Sequence, residues 1–246
     1  MIKIILNFVK VVISVIVAFL ATSCEIKIDG LDSVKGNGNV VNSTRVTNED
    51  FSTIKASRGL DVEISQGNEN AITIIADENL HDYIQTDIDN GSLKITSNKN
   101  IRSAKEKKIK VVFKEIEVLS ASSAARIVSK SNLILPSLDI KSSSGGEVDV
   151  VVESENISCK SSSGSTINIS GKALNFEASS SSGSDIKAKE LMTNNSILAA
   201  SSGSSIQVYP ILSLNAKASS GSSIVYYNDA KSIIKKSTSG GSIKSK

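Results

Sequence analysis

Through the second half of the chain, apolar residues recur at every second position in short runs, and a Ser-Ser-Gly block punctuates them. The glycines of that block are Gly145, Gly164, Gly183, Gly203, Gly221 and Gly240, at intervals of 19, 19, 20, 18 and 19 residues. Aligning the units on these glycines sorts the side chains into columns. Three places after the glycine stand Val148, Ile167, Ile186, Ile206, Ile224 and Ile243; five places before it stand Ile140, Cys159, Ala178, Leu198, Ala216 and Lys235. A two-residue apolar period on each side of the glycine is that of a strand whose alternate side chains face inward. One such unit has no partner for its apolar face, whereas stacked copies bury it continuously. The pattern therefore predicts an all-β fold, a parallel β-solenoid with coils of about 19 residues and strands about 4.8 Å apart. Helix is excluded by Ser-rich, Ile/Val-rich units with a glycine in every repeat.

The corner columns follow from the same alignment. Ser143, Ser162, Ser181, Ser201 and Ser219 stack, as do Ser144, Ser163, Ser182, Ser202 and Ser220. Small hydroxyls tolerate a sharp bend and bond to neighbouring coils, while the glycine supplies a positive φ. A hydroxyl-lined face that binds sugar or ice is the functional alternative to this packing role. Before the array, DVEISQG, AITIIAD, SLKITSN and KIKVVFK alternate without repeating, so the N-terminal part of the domain is less regular. Asp77 to Ile84 suggests a short helical turn begun by Asp77 and covering one end. The segment VLSASSAARI from Val118 reads as a degenerate first coil with Ala124 in the glycine place, and Gly59 echoes the same register.

The amino terminus has a different pattern. Residues 1–23 hold no acid, two lysines and an apolar run from Val11 to Ala21 that ends in Ala-Thr-Ser-Cys24. An 11-residue run is short for a membrane span, although reading back across Lys10 gives about 22 mostly apolar residues, long enough for an uncleaved anchor. The stretch resembles a bacterial lipoprotein signal, in which small residues precede the cysteine that becomes acylated; Ala21 stands where that motif usually has Leu. The resemblance implies a signal peptide over 1–23, lipidation at Cys24 and anchoring in a membrane through that lipid. Residues 24–40, with Gly30, Gly36 and Gly38, read as a tether, and 41–246 as one β-solenoid domain with regular coils over about 118–246.

The opening GNGNVV, Arg45, FSTI at 51–54, GLDVEISQG, ADENL and the later SSSGS repeats together closely resemble the family of putative auto-transporter adhesin head GIN domains, a domain of unknown function. The resemblance covers about residues 36–246. It implies a right-handed parallel β-helix in envelope proteins, often lipoproteins, of Bacteroidetes-like bacteria, and it brings no catalytic residues. Asp32-Ser33-Val34 also resembles the O-glycosylation acceptor of such bacteria. An autotransporter barrel is not expected, because aromatic-girdled segments of about ten residues are missing from this chain.

Composition narrows the chemistry. With 28 Lys+Arg against 25 Asp+Glu, interspersed, the net charge of +3 has no basic stripe for nucleic acid, and cleavage before Cys24 lowers it to +1. Of 46 serines, 36 lie from Ser120 onward. With Cys24 acylated, Cys159 is the only remaining thiol and reads as a small core residue. His81, the single histidine, reads as an exposed polar residue, since no further ligands stand at metal spacing. A carbohydrate-active β-helix enzyme needs stacked carboxylates; Glu147, Asp149 and Asp185 are the candidates, in columns otherwise lacking them. Lys105 to Lys110 is either a basic patch or the solvated face of a strand. No catalytic residue, metal ligand or cofactor is assigned. The expected function is a lipid-anchored envelope protein, in the outer membrane, that presents an adhesive or ligand-binding surface to a glycan or protein. A periplasm-facing scaffold or sensor is the alternative, then the enzyme. Ligand identity and oligomeric state stay open.

Overall fold

The computed structural model describes residues 33–45, 47 and 49–246, so the signal segment, Cys24 and most of the expected tether lie outside the described residues. Two early strands are β1 (Ser33–Lys35) and β2 (Val40–Arg45). The less regular part follows: β3 (Thr53–Ala56), β4 (Asp61–Gln66), β5 (Ala71–Asp77), β6 (Ile84–Asp89), β7 (Ser92–Ser97), β8 (Asn100–Ser103) and β9 (Lys107–Phe113). Stacked coils occupy the rest: β10 (Val118–Ala121), β11 (Arg126–Ser142), β12 (Glu147–Ser161), β13 (Thr166–Ser180), β14 (Asp185–Ala200), β15 (Ser205–Ala218), β16 (Ser223–Tyr226), β17 (Ser232–Ser237) and β18 (Ser242–Ser245).

From β10 to β18 every pairing is parallel, coil upon coil. The inward columns are those expected from the two-residue period. Ile109, Val62, Ile127, Val148, Ile167, Ile186, Ile206 and Ile224 face one another in register through eight successive strands and are buried throughout. Fully burying such a side chain stabilises by about 1.5–3 kcal/mol, so the column holds the stack together. Phe176, Leu138, Ile157 and Leu214 form a second column, interrupted by Ser196, whose hydroxyl is bonded to Thr193 Oγ1 at 2.6 Å.

Each coil turns at its Ser-Gly pair. Both residues have positive φ, for instance Ser163 at 54° and Gly164 at 67°, and the N–H of Ser165 donates to the carbonyl of Ser162. Two consecutive left-handed residues closed by that bond form a type I′ turn. Ser123-Ala124 and Arg58-Gly59 adopt the same conformation, so the degenerate coil and the Gly59 echo both belong to the stack. The amide of each second corner residue donates to the first-corner-residue carbonyl of the next coil, as in Gly164 N–H to Ser182 O and Gly183 N–H to Ser202 O. Period changes are absorbed away from the corner: the register shifts between Asn168 and Ser170 in β13–β14, and between Ala188 and Met192 and again between Thr193 and Asn195 in β14–β15. These bulges explain why one interval is 20 and the next 18.

The chain does not ascend monotonically. β3 and β4 form one coil, β7 and β9 form the coil beneath it, and β10 and β11 then stack above β3 and β4. Beneath the lower coil the direction reverses: β6 pairs antiparallel with β7, β5 with β9, and β2 with β5. These strands cap the N-terminal end, as solenoids require. The expected helical turn is a single 3-10 turn, Glu78–Leu80, that buries Leu80. Asp77 does not cap it with its side chain; its carboxylate instead accepts the N–H groups of Gly38, Lys105 and Glu106. Ser33–Lys35, within the stretch read as tether, is β1 and pairs with β8, so ordered pairing begins before residue 40.

Candidate functional site

The outer surface is built by the residues between the buried columns. Within β12, β13 and β14, Asn156, Asn175 and Asn195 stack in register. Asn175 Nδ2 donates to Asn156 Oδ1 at 3.0 Å, Asn195 Nδ2 to Asn175 Oδ1 at 3.1 Å, and Ser213 Oγ to Asn195 Oδ1 at 2.9 Å. This amide ladder borders an open groove of about 490 Å³ crossing the coils from Glu117 to Ile197. Glu117, Asp139, Ser158 and Glu177 lie along it, and Ile197 stands 58% exposed at its far end. Asp139 Oδ2 takes Lys141 Nζ at 2.7 Å, while its Oδ1 is buried with no hydrogen-bond donor among the described residues. Rigid amides and an apolar contact surface together suit a hydroxyl-rich ligand lying across several coils.

The Asn ladder was not anticipated, although Asn156, Asn175 and Asn195 stand eight places before their glycines and are visible in the alignment. The serine columns also differ in detail from expectation. Ser144, Ser163, Ser182, Ser202 and Ser220 are the left-handed corner residues, with their side chains outward. The structural hydroxyls stand one place after the glycine, at Ser165, Ser184, Ser204 and Ser222, all buried. Ser165 Oγ accepts from Ser162 N–H and donates to the Ser142 carbonyl of the coil beneath, and Ser204 and Ser222 repeat both bonds with Ser180 and Ala200. The recurring SSGS carries that signal. The glycines named as corners, Gly145, Gly164, Gly183, Gly203, Gly221 and Gly240, all have positive φ.

His81 is half-buried rather than exposed: Nε2 lies 3.2 Å from the Val41 carbonyl and 3.3 Å from that of Ala76. Carbonyls only accept, so Nε2 carries the proton and the imidazole ties the end cap together. Cys159 is buried in its column; burial, then the nearby Asp139 charge, push its thiol pKa well up and leave it unreactive. Arg126 bridges Glu147 at 3.3 Å and Asp149 at 3.6 Å. Asp185 is two strands from Glu147, across Thr166, and is hydrogen-bonded by Ser205. The three carboxylates therefore do not converge, and among the described residues no group of His, Cys, Asp or Glu has metal-binding geometry. The Lys105–Lys110 run continues into β9, where Ile109 points inward and Lys108 pairs with Glu63 at 3.4 Å and Glu106 at 3.7 Å. Burial alone would raise the Glu63 pKa, but Lys130 and Lys108 outweigh it and hold the carboxyl below its ordinary range. No helix among the described residues is long and apolar enough to cross a membrane.

Known structures share this architecture. A crystal structure of a putative adhesin from Bacteroides fragilis superimposes with a TM-score of 0.81 at 18% identity, over 87% of this chain and all of the other. A putative lipid binding protein from Parabacteroides distasonis gives 0.72 at 22% identity, over 87% and 99%. A putative adhesin from Parabacteroides merdae gives 0.69 at 23%, with the same coverage. No functionally curated protein matches the chain. Residues 50–230 match the profile of a family over most of the solenoid, from the first coil to β16, and the chain thus belongs to the family described as putative auto-transporter adhesin, head GIN domain.

Proposed function

We propose that the protein is a lipid-anchored component of the cell envelope that presents the solenoid as a rigid ligand-binding surface and carries out no catalysis. The observation that carries this reading is the groove beside the Asn ladder, an amide-bordered track fixed by main-chain pairing from β10 to β14. Two of the structures above are described as putative adhesins, a role that needs a surface of this kind and no reaction centre. Acylation at Cys24 supplies the attachment, because each buried methylene contributes about 0.8 kcal/mol to membrane binding.

Protease treatment of intact cells tests the reading. Digestion before lysis is the expected result and places the binding surface outside. Protection until lysis overturns the adhesin role in favour of a periplasm-facing scaffold. Release of the Cys24→Ala variant from membranes is the matching expectation for the anchor, and its retention points to an uncleaved span over residues 2–23.

A further inference from the structure

The two ends of the solenoid differ in charge. Residues 209–246 carry six lysines and one acid, Asp229, whereas the preceding 208 residues carry 22 basic and 24 acidic groups. The basic residues lie on the last coils, farthest along the stack from the antiparallel cap: nine strands separate β7 from β17 inclusive, roughly 38 Å at about 4.8 Å per step. Lys217 and Lys236 are direct register partners on β15 and β17, both exposed, and neither forms an ion pair among the described residues. Like charges facing each other across paired strands are destabilising.

Lysines on terminal strands guard an open edge against aggregation, and that accounts for Lys235, Lys236 and Lys244. It does not account for Lys217, which lies on β15, paired on both sides. Beside these two ammonium groups the same outward column falls to Ser179 and Ala199, register partners in the coils beneath, which opens a shallow notch of about 300 Å³. Ser201, Ser219 and Thr238 rim it with corner hydroxyls. Lys160, equally exposed and without an ion pair among the described residues, closes the column on the far side.

We propose that this notch is an anion-binding subsite and that its ligand is an acidic polysaccharide, with carboxylates of successive sugars resting on Lys217 and Lys236 and sugar hydroxyls bonding the corner. The notch shares no lining residue with the groove beside the Asn ladder, so this site goes beyond the reading above. The charge complementarity is local to the distal coils, the lysines are spaced by one coil step along the axis, and an extended uronate chain repeats its carboxylates on the same scale. Anions bound here relieve the repulsion between the paired ammonium groups, so binding weakens as salt rises.

Calorimetric titration of the purified full chain in detergent with a galacturonic acid hexamer tests this, with a glucose hexamer as the neutral control. The expected result is binding of the acidic hexamer alone, weakened by salt. In Lys217→Glu/Lys236→Glu, the affinity falls about tenfold or more, equal to about 1.4 kcal/mol, with the thermal melt unchanged. Should that variant fail to fold, Lys217→Gln/Lys236→Gln replaces it with the same expectation in direction. Lys94→Glu, at the opposite end, leaves binding intact. Equal affinity in the double variant, equal affinity for the neutral hexamer, or binding only to phosphatidylglycerol vesicles overturns the proposal. Those outcomes leave the surface-display reading standing if intact-cell digestion succeeds, whereas protection on intact cells overturns that reading whatever the hexamer does.

Discussion

Replacing Ile186 with Asp separates the solenoid register from any fold in which this strand is merely apolar. Ile186 is fully buried between Ile167 and Ile206, its partners in the coils on either side. Truncating a buried Ile to Ala costs about 2–5 kcal/mol. Asp removes the same contacts and adds a carboxyl with no donor in an aliphatic column, so its cost lies at or above the top of that range. For a domain of this size about 2–4 °C of melting temperature accompany each kcal/mol, which gives a fall of 10 °C or more. Lys187, the next residue, is exposed. Lys187→Asp should therefore shift the melt by only a degree or two. The assay is circular dichroism melting of both variants beside the parent. Because stacked coils depend on their neighbours, hydrogen exchange should also show loss of protection concentrated in β13–β15 of the Ile186 variant. Equal melts for the two substitutions would refute the inward–outward alternation on which the architecture rests.

Three further outcomes follow from individual groups. Asp77 is buried, which opposes its ionisation, but the backbone N–H groups of Gly38, Glu106 and Lys105 and the charge of Lys105 outweigh this and lower its pKa. A lowered folded pKa gives stability that is complete above the unfolded value and is lost as pH falls from about 4 downward. Asp77→Asn should melt lower than the parent at neutral pH, with the gap narrowing in acid; a constant gap rejects the assignment. Gly171→Ala should destabilise more than Gly183→Ala in chemical denaturation, because a Cβ at Gly171 would overlap the Val152 carbonyl whereas none meets an atom at Gly183; both carry the left-handed cost of about 1 kcal/mol. Cys159 should resist a thiol reagent at pH 8 until the protein is unfolded, and rapid labelling of the native protein contradicts its burial.

Gly145 to Gly240 and the isoleucine column were legible from periodicity because a stack of equivalent coils forces the same φ and the same inward side chain at each repeat. The family was legible too, in motifs that run in order from GNGNVV to the SSSGS repeats. The candidate groove was not. Its Asn156, Asn175 and Asn195 share a column in the sequence, but only the stacking of coils places their amides in bonding contact and leaves Asp139 Oδ1 without a donor among the described residues.

The N-terminal end shows the same division. Alternation in AITIIAD and KIKVVFK establishes that β5 and β9 are strands, since each carries one apolar face. Whether such a strand runs parallel or antiparallel to its neighbour leaves no trace in a two-residue period. Only the folded chain decides that β5 reverses against β9, that β7 and β9 slip beneath β3 and β4, and that Asp77 and His81 become the ties of the cap. The sequence by itself thus determined the repeat, its inward face and its corners, which are local consequences of spacing and backbone conformation. Tertiary structure decided strand order, the cap, the amide ladder and the unpaired lysines, because each depends on which residues distant in the chain come to lie side by side.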